Sequence, residues 1–283
     1  MAGGYVVMVI WPDVAISHGG RLRGVFGNPN GLGIFCILVY TLFFIVNQRF
    51  PDLFERKEKL FFVLFMLYVT ISTGSRTALM AIMLFHMFHY LFKRSVFLGF
   101  FIFILVLMSV EFFILYFPKI IIALDLQKSF RLETLQEGSG RTIAWNFAWQ
   151  NIQQSLLVGK GLAYDEYLMR TNFDFLSKEG HQGGVHNTYL IMWLNTGLIG
   201  LIFFLRGFFL LFYRASKHSS YAYPVMIAIM LSINFEPWLA ASLNPYTILF
   251  LIIITVLSLD DWLVEKQKVT EIEDELSNEG ITT

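Results

Sequence analysis

The chain has 283 residues, with 21 Lys and Arg against 21 Asp and Glu, so its net charge is zero. That balance gives no basis for a nucleic-acid partner. Hydrophobic residues make up 56% and aromatics 17%; a soluble domain is already about half apolar, so distribution decides the class. The single cysteine, Cys36, lies in an apolar run and excludes an intrachain disulfide. The opening M-A-G-G-Y-V-V-M-V-I lacks the basic region and cleavage site of a signal peptide.

Residues 5–10 are apolar but too few to span a bilayer, and Trp11-Pro12-Asp13 ends them. A polar, turn-rich stretch follows to residue 30 and closes on R-L-R-G-V-F-G-N-P-N. The first predicted span is 31–46, followed by a charged loop, 47–59, holding Arg49, Arg56, Lys57 and Lys59. The apolar stretch 60–92 would be about 50 Å long as one helix, against a hydrocarbon core of about 30 Å. It therefore divides into spans 60–73 and 77–92, with Gly74-Ser75-Arg76 at the turn. On the second of these, His86 and His89 share a face and read as packing or interface residues. After Lys93-Arg94, residues 96–117 form the next span; Glu111 lies near its outer end and is a site candidate for being charged there.

Residues 118–186 are the long hydrophilic segment. Within it, 139–157 reads as an amphipathic helix on or just above the bilayer, because Trp145, Trp149, Ile152 and Leu156 recur at helical spacing, with Gly159 as its stop. Three further spans are predicted at 187–213, 221–233 and 246–259. The expected fold is thus all-α: a polytopic transmembrane helix bundle of about seven spans with one long, partly helical extracytoplasmic loop. Residues 1–259 form a single membrane domain, and 260–283 an acidic, disordered cytoplasmic tail.

Basic residues in short loops orient the bundle. The loops 47–59, 93–95 and 214–220 carry four, two and two Lys or Arg, while the opposite connections 74–76 and 234–245 carry one and none. The long loop and its flanks therefore fall outside. This places Arg21, Arg23, Arg76, Arg141, His186 and Glu236 together on the outer face.

Those residue types suit one chemistry. Arginine is a permanent cation with a planar donor fork that fits phosphate. Histidine can take a proton from a hydroxyl, and Glu236 could orient it or stabilise its charged form. The set fits glycosyl transfer from a polyprenyl-diphosphate sugar to an acceptor hydroxyl. The blander readings are that arginines at helix ends anchor the protein and that a lone loop histidine is solvated. His181 and His186, five residues apart, lack the clustered ligands of a metal site.

The stretch Val185 to Gly200 carries the pattern H-N-x9-G-x-x-G: His186 and Asn187 where a polar loop meets an apolar helix, then Gly197 and Gly200, which suggest close helix packing. With R-L-R-G-V-F-G-N-P-N at 21–30, S-T-G-S-R-T at 72–77, and S-G-R-T-I-A-W at 139–145 followed by L-L-V-G-K-G-L at 156–162, it resembles the bacterial O-antigen ligase and O-antigen polymerase superfamily, over residues 21 to about 240. The resemblance implies a metal-independent, inverting transferase of the membrane GT-C type without a cofactor. Its donor would be an undecaprenyl-diphosphate-linked glycan, and it would act at the outer face of the bacterial plasma membrane. By the same resemblance Arg76, Arg141 and, less directly, Arg23 hold the diphosphate, His186 is the base, and Glu236 matches an acidic residue of the following outer loop. The expected acceptor is another lipid-linked glycan, as in a polymerase, though no residue of the sequence decides this. The alternatives are a ligase moving glycan to lipid A-core or protein, and a transporter of the same lipid-linked glycans. Family members usually have several more spans before the first arginine segment, so the expectation is a fragment, a truncated reading frame or a short member.

Overall fold

The computed structural model describes residues 12–17, 19–106, 141–181, 183–240 and 244–259. Residues 107–117 of the fourth expected span, with Glu111, residues 118–140 of the long loop, and the tail 260–283 lie outside the described residues.

In chain order the helices are α1 (Pro12–Ala15), α2 (Pro29–Arg49), α3 (Arg56–Thr73) and α4 (Arg76–Arg94), then α5 (Val96–Val106). They continue with α6 (Arg141–Gln153), α7 (Tyr164–Thr171), α8 (Phe173–Lys178), α9 (Thr188–Ala215), α10 (Ala222–Phe235) and α11 (Pro245–Leu257). Two of them, α2 and α9, are long and apolar enough to cross a membrane, while α5, α10 and α11 are apolar but shorter.

The helix starts are written in the sequence. Asn28 accepts from Gly31 N at the head of α2, Ser75 from Ala78 N at α4, Asn187 from Leu190 N at α9 and Asn244 from Thr247 N at α11. Pro29 and Pro245 occupy the first helical position, where a missing N–H costs nothing. Each cap is worth about 1 kcal/mol. Gly74, at φ 60°, closes α3 in the left-handed conformation that glycine adopts without strain, and the chain re-enters helix at Arg76.

One core runs through α2, α3, α4, α9, α10 and α11, with Tyr40, Phe85, Phe88, Phe212 and Met66 fully buried. Helix α10 packs on α4, and α2 packs on α3, α4 and α11. His86 and His89 are packing residues: the Tyr40 hydroxyl meets His86 Nε2 at 2.7 Å, and His89 stacks on Tyr221 at 4.2 Å. The outward faces are apolar as well. Phe61, Leu64, Ile71, Met83, Ile202, Phe203, Ile248 and Leu251 are 54–71% exposed, far more apolar surface than a water-facing bundle tolerates.

The segment α6–α8 builds two small cores of its own against the first half of α9. The buried stripe of α6 is Ala144, Ala148 and Ile152; it keeps Ile152 of the expected stripe but not Trp145 or Trp149, and the helix ends at Gln153. Small residues let α6 approach α9 closely. Trp145 is recruited to a hydrogen bond with the Val185 carbonyl at 2.9 Å, and Trp149 stands edge-on to Trp193.

Gly197 was expected to ease helix packing; it breaks the helix instead. Its backbone leaves the helix at φ 73° and ψ −178°, a positive-φ conformation that favours glycine. The freed groups bind residues 156–161: Lys160 N and Gly161 N donate to the Leu194 and Asn195 carbonyls, while Leu198 N and Ile199 N donate to those of Leu156 and Leu157. Gly159 is therefore not a helix stop. It is the point where this strap crosses the break, and a Cβ there would overlap Gly197 N.

Candidate active site

Glu236 is the meeting point. It ends α10, its side chain is only 9% exposed, and its backbone carbonyl accepts from Thr188 Oγ1 at 3.0 Å. Its Oε1 accepts from Arg141 Nη2 at 2.6 Å and from Asn30 Nδ2 at 2.9 Å. Its Oε2 lies 3.9 Å from His186 Nδ1. That separation is too long for a hydrogen bond, yet close enough for the carboxylate to stabilise an imidazolium as it forms.

His186 is held from both sides of the peptide chain. Trp145 fixes the carbonyl before it, and Asn187 after it caps α9 while donating to Asn234 Oδ1 at 3.2 Å. The residue is in the left-handed region at φ 51°, uncommon for a side-chain-bearing residue. Strained backbone of this kind persists where the surroundings dictate it, and clusters at functional sites. The imidazole is 30% exposed, and Gly183 leaves its Nε2 side open, since a Cβ there would sit 2.9 Å from that atom.

His181 lies in the loop before His186 and is packed there rather than exposed. It is 2% exposed, its Nε2 is 3.1 Å from the Gly184 carbonyl, and its ring stands edge-on to His186 at 6.1 Å.

The arginines separate into two groups. Arg141, the first residue of α6, commits one guanidinium nitrogen to Glu236. Arg76 opens α4 at the same end of the bundle: its neighbour Ser75 packs against Gly33, where a Cβ would lie 2.9 Å from the serine. Arg23 turns away, with Nε on the Val14 carbonyl at 2.8 Å and Nη2 on that of Asp13 at 3.2 Å. Arg21, named on the outer face but given no role, is the one that joins the network. Its Nε donates to the Thr73 carbonyl at 2.7 Å and its Nη2 to Asn30 Oδ1 at 2.9 Å. A continuous chain therefore runs from the α3–α4 turn through Arg21, Asn30 and Glu236 to Arg141. Asn30 was missed because an asparagine in the first turn of a helix, two residues after an Asn cap, reads as part of the helix start.

A pocket of about 200 Å³ opens beside His186 and Glu236, walled by Asn28, Gly31, Trp238 and Tyr246. Helices α2, α9 and α11 all begin at its rim.

Residues 61–205 match the model of a family described as O-antigen ligase. No curated protein and no solved structure matches.

Proposed function

The chain belongs to the O-antigen ligase family, and we propose that it transfers a glycan from a polyprenyl diphosphate to a sugar hydroxyl at the outer face of the plasma membrane. The observation that carries this reading is the convergence on Glu236 of Arg141, Asn30 and His186, residues that lie 95, 206 and 50 positions away in the chain.

The expected chemistry assigns each part a task. The acceptor oxygen attacks the anomeric carbon, the bond from that carbon to the diphosphate oxygen breaks, and the diphosphate leaves with the electron pair. His186 takes the acceptor proton. Glu236, 3.9 Å from its Nδ1, stabilises the imidazolium. Arg141 and Arg76 face the departing charge. Arg23 has its fork on backbone carbonyls, so the reading rests on the other two arginines. Helices α2, α4, α9 and α11 all start at this end, and their N-terminal dipoles favour an anion there.

The acceptor being a second glycan makes the activity a polymerase; transfer to lipid A-core or protein would make it a ligase. A transporter would carry its charged groups at mid-span, whereas the Arg21–Asn30–Glu236–Arg141 network sits at helix ends. The apolar outer faces support a multi-pass membrane protein, with the seven predicted spans as its topology.

The test is transfer in vitro from a synthetic polyprenyl-diphosphate oligosaccharide. Replacing the base costs roughly 10²–10⁴-fold, so His186→Ala should lower turnover by that factor and leave donor binding nearly intact. A His186→Ala protein transferring at the wild-type rate would overturn the assignment of the base.

A further inference from the structure

The pocket beside His186 has a chemistry distinct from the arginine network. Among the described residues neither Lys nor Arg lines it; Arg141 meets Glu236 from outside the lining. What it offers is an indole wall, side-chain amides, a phenol and one carboxylate: Trp238, Asn28, Asn244, Tyr246 and Glu236. Neutral sugars are recognised by this combination, with apolar ring faces against aromatics and hydroxyls against amides and hydroxyls. At about 200 Å³ the space suits a single sugar ring.

Tyr246 is placed as the reading group. Its ring is fixed on two sides, stacked on Phe26 at 6.0 Å and edge-on to Trp238 at 6.5 Å. Its hydroxyl makes no hydrogen bond among the described residues, and it reaches over Gly31, where a Cβ would stand 2.6 Å from that oxygen. Glycine at 31 is what lets the hydroxyl occupy this position. A half-buried hydroxyl without a partner among the described residues, in a pocket shared with the proposed base, is poised for a ligand hydroxyl.

We infer that this pocket is the acceptor subsite and takes one terminal, uncharged sugar ring, with Tyr246 as a specificity residue. The inference rests on the glycosyl-transfer reading for its role and adds which partner occupies the site. In a direct displacement the attacking hydroxyl and the leaving diphosphate lie on opposite sides of the anomeric carbon. The pocket beside His186, with neither Lys nor Arg among its described lining residues, is then the acceptor side, and the arginines beyond Glu236 the donor side. His186 receives the proton from a hydroxyl of the bound ring.

The test uses the full chain in detergent and a panel of methyl glycosides of neutral hexoses and N-acetylhexosamines, titrated by tryptophan fluorescence. The wild type should bind at least one saturably. Tyr246→Phe should weaken that binding about 5–30-fold, as expected for one lost hydrogen bond to a ligand hydroxyl. Gly31→Ala should weaken it too by displacing the hydroxyl, and should add little in the Gly31→Ala/Tyr246→Phe double variant. In transfer assays, Tyr246→Phe should raise the acceptor KM while the donor KM changes less than twofold. Absence of glycoside binding to the wild type, equal binding by Tyr246→Phe, or a rise confined to the donor KM overturns the subsite. Sugar binding by a chain that transfers nothing would instead leave the subsite standing and sink the glycosyl-transfer reading.

Discussion

Glu236 is asked to do two things at once, and substitutions can separate them. As an acceptor it satisfies Asn30 Nδ2 and Arg141 Nη2; as a charge it faces His186 Nδ1. Glu236→Gln keeps a carbonyl oxygen at Oε1 for both donors and removes the charge, whereas Glu236→Ala strands them. Breaking a buried ion pair by deleting one partner costs about 3–5 kcal/mol; with the Arg141 side chain 19% exposed, the lower end of that range applies. Thermal unfolding in detergent should therefore rank wild type above Glu236→Gln and Glu236→Gln well above Glu236→Ala. Turnover should fall in both, by roughly 10–100-fold for Gln, because the imidazolium loses its stabilising charge. If Glu236→Gln transfers at the wild-type rate, the carboxylate is only a structural link to Arg141. At this scale the sequence was legible in part. His186, Arg141 and Glu236 could be listed because the spans put them on one face, but nothing in the order of residues says that Asn30 and Arg21 bridge them, or that Arg23 is consumed by the Asp13 and Val14 carbonyls.

Among the elements, those with strong local signals were readable and those made by long-range pairing were not. Predicted segments 31–46, 60–73 and 77–92 fall within α2, α3 and α4, because apolar length, Asn-Pro caps and the Gly74-Ser75 turn all act locally. The break in α9 was missed, since a glycine in an apolar run reads the same whether it packs or unwinds. What decides is residues 156–161, which supply four hydrogen bonds to the freed backbone; a break inside a membrane persists only when its polar groups are satisfied in this way. Asn195 and Asp165 lock the strap further with reciprocal hydrogen bonds of 2.8 and 3.0 Å. The short half-helix carrying His186 is thereby tied to the element that delivers Arg141. Gly197→Ala tests the device: its φ of 73° strains any side chain, and the new Cβ would overlap the Leu157 carbonyl. Strain of this kind costs about 1–3 kcal/mol before the overlap is counted, so the unfolding temperature should drop clearly. Gly207→Ala, on the same helix with open space around it, should be neutral or slightly stabilising. Equal effects of the two substitutions would mean that the strap does not hold the break.

For the whole molecule, the decisive quantity is which face of the membrane the site occupies. Helices α2, α4, α9 and α11 start at the site end, so the loops joining α2 to α3 and α9 to α10 lie at the opposite end. That end carries Arg49 in the last turn of α2, Arg56, Lys57 and Lys59 in the first turn of α3, Arg214 in the last turn of α9 and Lys217 in the loop after it, and short basic loops stay cytoplasmic. On the proposed reading the site end is extracytoplasmic, where a lipid-linked glycan already translocated would meet an acceptor. Labelling of single cysteines checks this with little disturbance, because the native Cys36 is fully buried in the core. Gly183 is a poor probe position, given its φ of 138° and the crowding of His186 Nε2 that a side chain would cause. Glu179 and Lys217 are exposed and serve better. In intact cells an impermeant maleimide should modify Glu179→Cys and spare Lys217→Cys until the membrane is permeabilised. The reverse pattern would put Glu236, His186 and the arginines in the cytoplasm, on the side where nucleotide-activated sugars serve as donors, and the diphosphate-lipid reading of the site would fall with it.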